Sequence, residues 1–276
     1  MARRIWLVAD DYGISPAVSA AIRDLLARGR LSATSVMVAT PSFDRTQAQS
    51  LAALAAAGPP FAIGLHVTLT GPLRPLSQNF APLRDGAFLP LGAVMARAFL
   101  GRLDRAALAA EIAAQLAAFA AAFGRPPDYV DGHQHVQLMP TVRDAFLAAV
   151  AKAAPRAWVR QCGSVAAPHA RLADPKGWLL DRLSRSFRAR AAAHGLRTNP
   201  GFAGTYDFGN ARPFGARFAG FLDGLPDGGV VMCHPGEVDD ELRRLDPVTD
   251  QRAREYAYFA GEEFVTLLQA QGLSLR

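Results

Sequence analysis

The chain has 276 residues, half of them hydrophobic and a fifth charged, with a mean hydropathy of +0.09. That length has room for one large domain or two small ones, and the composition excludes a disordered chain or a bundle of membrane spans. The formal charge of +6 invites a nucleic-acid partner, but arginine outnumbers lysine 28 to 2 and is spread among alanines along the whole chain, which is compositional bias rather than a basic patch.

Cys162 and Cys233 make no disulfide framework, and the first apolar run, 5–9, stops at two aspartates before it reaches signal-peptide length. No stretch approaches the ~20 apolar residues of a spanning helix. A cytoplasmic protein is the expectation. In chain order, residues 4–9 read as a buried strand, and Ser15-Pro16 then supplies an N-cap and first-turn proline for a helix to about 28. A second strand is expected at 35–39, an alanine-rich helix at 41–57 and a third strand at 61–70. The proline-rich segment 71–90 has little periodicity, and a loop that long is expected to be a functional lid. Asp104 caps a helix to about 123, followed by a strand at 129–135, a helix at 140–154 and a strand at 157–162.

Weaker units follow: a helix at 178–194, a strand at 196–204 and a helix at 214–224. A clear buried strand at 229–234, a helix at 250–271 and a short apolar run at 273–275 complete the chain. In the 178–194 helix, Leu179, Leu183 and Phe187 form one stripe flanked by Arg182, Arg185, Arg188 and Arg190. An ordinary surface helix is the first reading, and a basic amphipathic helix resting on anionic lipid is the sharper one. Continuous apolar strands separated by helices predict a parallel sheet covered on both faces. Seven or eight such units, in one domain spanning 1–276, fit a TIM-like (β/α) barrel of seven or eight parallel strands.

On that scaffold the unusual polar residues fall at the carboxyl ends of strands: Asp10 and Asp11, His66, then Asp131, His133 and His135, Arg160, and His234. Barrel enzymes build their sites on that face. Four of the six histidines are in the set, whereas His169 and His194 fall in a loop and on a helix. Singly, each has a plain structural reading, such as an aspartate pair entering a turn or a satisfied core histidine. Jointly, one aspartate and two or three imidazoles at one barrel mouth predict a divalent-metal site. Two neutral imidazoles and a carboxylate can hold such an ion with positions left open. A second carboxylate can then take a proton from water, and a histidine opposite can protonate a departing amine.

The segments ADDYG (9–13), GLHVTLT (64–70), YVDGHQHVQLMP (129–140) and VMCHPGE (231–237), in this order over nearly the whole chain, resemble the YdjC/ChbG-like carbohydrate deacetylases. DGHQHV further resembles a subgroup associated with hopanoid biosynthesis, with an N-acetylglucosaminyl hopanoid as its proposed substrate. The resemblance implies a TIM-like barrel of the glycoside hydrolase/deacetylase type that removes acetyl groups from an N-acetylated amino sugar. It implies Asp11, His66 and His133 as ligands of one divalent metal ion, Mg2+ or Zn2+, Asp10 as the catalytic carboxylate and His234 as the general acid. His135, Arg160, Asn199 and Phe202 are the expected substrate contacts. Gln137 departs from the family, which often has a histidine there, and bears on specificity. The expected partner is an N-acetylated amino sugar or glycolipid and not nucleic acid; peripheral membrane contact and a homodimer are admitted. The alternatives are a metal-dependent phosphoesterase or isomerase on the same barrel, and a non-catalytic sugar- or lipid-binding barrel.

Overall fold

A computed structural model describes residues 3–164, 175–207 and 213–276; His169 lies outside them. The chain begins with β1 (Arg3–Tyr12), buried from Leu7 onward, and α1 (Pro16–Ala27). Ser15 caps that helix by accepting the Val18 amide, and Pro16 fills its first turn. The alternation continues through β2 (Ala33–Val36), α2 (Arg45–Ala57) and β3 (Ala62–Val67). An insertion over 71–103 then carries the hairpin β4 (Leu83–Arg84) and β5 (Ala87–Phe88) and the helix α3 (Leu91–Phe99). Next come α4 (Arg105–Phe123), β6 (Tyr129–Gly132), α5 (Val142–Ala153), β7 (Trp158–Val159) and α6 (Pro175–Ala193). The remainder is β8 (Phe202–Ala203), α7 (Phe214–Phe221), β9 (Val230–Cys233), α8 (Asp240–Leu245), α9 (Asp250–Ala260), α10 (Glu262–Ala270) and β10 (Leu273–Leu275).

Seven strands run in the order β7-β6-β3-β2-β1-β9-β8, every neighbouring pair parallel, and β10 pairs with the start of β1. The two ends of the row meet through single parallel bridges, Val159 to Thr198 and Ser164 to Phe202, so the sheet curls into a barrel with a thin seam. Leu7, Val36, Leu65, Val130 and Val231 are fully buried, each contributing about 1.5–3 kcal/mol. At the exit of β8, Gly204 has φ +109, and a Cβ there would collide with the Met232 carbonyl. Only glycine lets the chain turn this close to β9.

The seam explains where the expected strands are too long. Residues 157–162 and 196–204 keep two paired residues each, because each has a full partner on one side only. The strand expected at 129–135 stops at Gly132, and the helix expected at 250–271 breaks at Gly261. Helices α3 and α8 were not anticipated.

By length and composition α4 could cross a membrane, against expectation, but it is a barrel helix. Leu108, Ile112, Leu116 and Phe119 are buried, with Glu111 and Gln115 buried between them. Gln115 clasps the backbone of Thr68 in both directions (2.9 and 2.7 Å) and donates to Glu111 Oε1 (2.7 Å). Glu111 in turn accepts the amides of Leu76 and Ser77 (3.1 and 2.8 Å), which fastens the insertion to the barrel. On α6, Ser184, Phe187 and Ala191 are buried while Arg182, Arg185, Arg188 and Arg190 are exposed. Of its apolar stripe, Phe187 is buried and Leu183 packs partly buried against the core, as in an ordinary surface helix.

Candidate active site

Adjacent side chains of a regular strand face opposite ways. At the end of β1 the pairing with β2 shifts register between Ala9 and Tyr12, and Asp11 takes φ +68. Aspartate tolerates that left-handed backbone better than most residues. The irregularity turns both Asp10 and Asp11 into one pocket of about 200 Å3, which His66, His133, His135, His234, Tyr206 and Arg252 also line.

Asp11 Oδ1 lies 3.0 Å from His133 Nδ1 and 3.3 Å from His66 Nε2. These three side chains each offer a ligand atom within 4.8 Å of the others. His66 reaches this geometry because its other nitrogen, Nδ1, is held 2.6 Å from Asp131 Oδ1. Such a carboxylate partner fixes the tautomer and ring orientation of a metal-ligating imidazole. Burial alone would lower the His66 pKa, but the carboxylates of Asp131, Asp10 and Asp11 outweigh it and raise the pKa to about 10. The cluster thus retains a positive charge at the spot where a cation would sit. Donor chemistry and electrostatics both fit a divalent ion held by Asp11, His66 and His133. Asp10, His66 and Asp131 also converge, but Asp131 is fully buried and does not line the pocket, which favours the first set.

Asp10 has a different neighbour. Arg160 donates to both of its oxygens, at 2.6 Å each, and also bonds Asp131 and Ser35 Oγ (3.2 Å). Burial works to raise the Asp10 pKa, but the Arg160 guanidinium, with His66 and His234, outweighs it and holds the carboxyl below its usual range. Asp11 is held lower still, because burial is overcome by Arg252 and His133. Arg252 donates to Asp11 Oδ2 (2.6 Å), Asp246 Oδ2 (2.8 Å) and the Val248 carbonyl (3.0 Å), tying the segment after α8 to the site. Glu255, one turn along α9, accepts the backbone amide of His234 at 2.6 Å and is in close contact with the Tyr206 hydroxyl. Burial raises the Glu255 pKa despite His234 and Tyr206.

The structure brings Asp10, Asp11, His66, His133, His135 and His234 together at one mouth. His133 and His135 do not share an extended strand: they lie in a 3-10 turn over 133–138, with Gln134 and His135 at positive φ. His135 Nδ1 instead meets Cys162 Sγ at 3.4 Å, and its ring stands edge-on to Phe202 at 5.8 Å. Burial and Arg160 lower the His135 pKa to about 3, so the ring is neutral. Phe202 and His135 line a second cavity of about 760 Å3, which shares Gln134, His135, Thr205 and Tyr206 with the first.

Two expected substrate contacts are not in the pocket. Arg160 is fully buried beneath it and is committed to Asp10 and Asp131. Asn199 lines a cavity with Trp6 and Trp158, at the amino-terminal ends of the strands. Its side-chain amide bonds the backbone of Gln161 across the seam and that of Gly201 on its own segment. Gln137 is also buried, donating to the Arg160 carbonyl (3.2 Å) and to Cys162 Sγ (3.6 Å), so it braces the backbone that carries Arg160. Arg252, Glu255 and Tyr206 were missed. One signal was available: positions 252, 255 and 259 form a single helical stripe, and a stripe that ends in a buried phenylalanine carries two charges.

The fold and the site define a parallel (β/α)-barrel protein with an acid–imidazole centre at the carboxyl ends of its strands. The model of the YdjC-like protein family matches residues 4–270, and the chain belongs to that family. Chitooligosaccharide deacetylases of Yersinia pestis (strain Pestoides F) and Yersinia pseudotuberculosis (serotype O:1b) are 33% identical over 135 residues, 49% of this chain and 50% of theirs. The chain thus spans about half the length of the curated relatives it matches. A solved structure from Enterococcus faecalis V583, described as a candidate cellobiose-phosphate cleavage protein, has a TM-score of 0.79 at 20% identity over 100% of this chain and 97% of its own. A lactam utilization protein from Thermus thermophilus has a TM-score of 0.54 at 16% identity, covering 99% of both chains. These two share the fold.

Proposed function

We propose that this protein is a metal-dependent amide hydrolase that removes the acetyl group from an N-acetylated amino sugar. The observation that carries the reading is a pair of adjacent aspartates with different partners: Asp11 among two imidazoles, and Asp10 held anionic by Arg160 in the same pocket as His234. The names of the Yersinia relatives support the substrate class. Asp11, His66 and His133 would hold the divalent ion, and an ion there supplies Lewis-acid polarisation of the acetamide carbonyl and acidifies water. The imidazole pair favours zinc or another transition ion over magnesium.

Asp10 accepts the proton of the attacking water and is kept ionised for that task by Arg160. As the carbon–nitrogen bond breaks, His234 gives its proton to the sugar nitrogen, leaving acetate and a free amine. Glu255 fixes the backbone of His234. The neutral ring of His135 can exchange hydrogen bonds with the sugar without adding charge.

The adjoining cavity, walled by Leu91, Leu180, Phe202 and Phe221, supports a substrate whose sugar carries an apolar group, such as a glycolipid of the N-acetylglucosaminyl hopanoid kind. The reading takes residues 1–276 as one cytoplasmic domain.

The test is acetate release from N-acetylglucosamine compounds, with chito-oligosaccharides and a glycolipid among them, after chelation and metal add-back. Release that disappears with chelation and returns with one ion is expected. Asp10→Asn should keep the ion and lose turnover, whereas His66→Ala should lose both. Hydrolysis of phosphoesters instead, or ligand binding without acetate release by ion-loaded protein, would overturn the reading.

A further inference from the structure

Six large hydrophobic side chains are exposed among the described residues, and five of them, Leu76, Leu83, Met95, Phe99 and Leu100, fall on the insertion over 71–103. The insertion is not loosely packed. Its inner face buries Leu73, Phe80, Phe88, Val94 and Ala98, and its start is pinned to Glu111. Helix α3 is therefore apolar on both sides. Val94 and Ala98 face the core, while Met95, Phe99 and Leu100 are 39%, 47% and 64% exposed. A helix that is apolar all round is normally enclosed, and an apolar surface cluster of this kind marks a contact surface.

Within the insertion the charges are mostly of one sign. Residues 71–103 contain Arg74, Arg84, Arg97 and Arg102 against the single acid Asp85. Arg74, Arg97 and Arg102 make no ion pair with any described residue, and Arg84 meets only the fully exposed Asp85, at 4.0 Å. Exposed apolar side chains and unpaired arginines on one segment match an anionic bilayer surface: the apolar groups enter the headgroup boundary and each arginine near it adds about 1 kcal/mol. The stripe also has a direction. Leu91, Met95 and Phe99 are spaced i, i+4, i+8 along one face of α3, and Leu91 is a wall of the 760 Å3 cavity that joins the catalytic pocket. The sixth exposed hydrophobic, Trp178, directly follows cavity-lining Gly177 near the start of α6.

We infer that α3 and the insertion that carries it are a membrane-docking surface for anionic lipid. The surface is distinct from the arginines of α6, whose apolar stripe packs against the core through Leu183 and Phe187. The inference does not depend on the deacetylase reading.

The experiment is co-sedimentation of the full chain with phosphatidylglycerol/phosphatidylcholine vesicles and with pure phosphatidylcholine vesicles, with oligomeric state measured by light scattering. Binding to the anionic vesicles, weakened by salt, is expected, with at least a tenfold lower partition coefficient for the Phe99→Glu/Leu100→Glu variant at an unchanged melting temperature. Both substitutions are at exposed positions, so the fold is not at stake. Failure of the native chain to bind anionic vesicles would overturn the inference. So would equal binding by the variant, or a native dimer that the variant dissolves, which would make α3 a contact between copies of the chain.

Discussion

Asp131 lies outside the pocket, yet it governs the geometry of the candidate metal set. Its Oδ1 is 2.6 Å from His66 Nδ1, and its Oδ2 accepts from Ser35 Oγ at 2.7 Å and from Arg160. In Asp131→Asn the size is kept, but one carboxylate oxygen becomes an NH2. That group must face either Arg160 and Ser35, donor against donor, or the imidazole N–H of His66. Either orientation loosens the ring that aims Nε2 at Asp11. Losing such a partner typically costs ~10–100-fold in metal affinity, which is about 1.4–2.7 kcal/mol. Arg160 keeps both bonds to Asp10, so the barrel should stay folded. Zinc affinity measured by competition with a chromophoric chelator, alongside a melting curve, tests this directly. A folded variant that binds zinc within twofold of the native chain would refute the chain of reasoning from Asp131 through His66 to the ion.

Glu111→Ala removes the acceptor for two amides of the insertion and should cost about 1.5–3 kcal/mol, with faster hydrogen exchange at Leu76 and Ser77; unchanged exchange there would count against the clasp. In metal-free protein, the His66 pKa of about 10 against an ordinary 6.5 means that its stabilising charge is fully present below pH 6.5 and fades as pH rises toward 10. The urea midpoint should therefore fall from pH 6.5 to 8 in the native chain and stay flatter in His66→Gln; equal slopes would sink the assignment. Arg160→Met strips the partner from two buried carboxylates and should cost about 3–5 kcal/mol, read as a large drop in melting temperature.

The sequence made β1, β3 and β9 legible, because strands with parallel neighbours on both sides are continuous apolar runs; β2 has such neighbours too, but it forms over 33–36 where 35–39 was expected. It failed at β7 and β8, where pairing stops at the seam and no local pattern marks the stopping point. The turn after β6 was read as extended because nothing in DGHQH announces that Gln134 and His135 take left-handed backbone. Of the site, Asp10, Asp11 and the four histidines were readable from their placement after strands. Tyr206 and Arg252, which line the same pocket, were not, and neither was the supporting role of Arg160. Arg160 follows a strand like the others, and only its complete burial shows that it faces Asp10 and not substrate. Arg252 and Glu255 come from a charge-rich helix distant in sequence, so their inward direction depends on packing of α9 against the barrel.

The two adjacent aspartates also show how neighbouring residues of one type acquire different chemistry. Each is assigned its own buried arginine, and the geometry of the two pairings differs. Arg160 grips Asp10 through both oxygens, yet each carboxylate oxygen has a second lone pair, so the group stays anionic and can still accept a proton. Arg252 takes only Oδ2 of Asp11, which leaves Oδ1 facing His66 and His133. Arg160 is shared between Asp10 and Asp131, and Arg252 between Asp11 and Asp246, so two guanidiniums face four carboxylates. His66 answers part of this with a proton, and a divalent ion held by Asp11, His66 and His133 would answer it more fully. The positive charge missing from the site is thus a consequence of how the arginines are shared, and ion and proton should compete for the same imidazole.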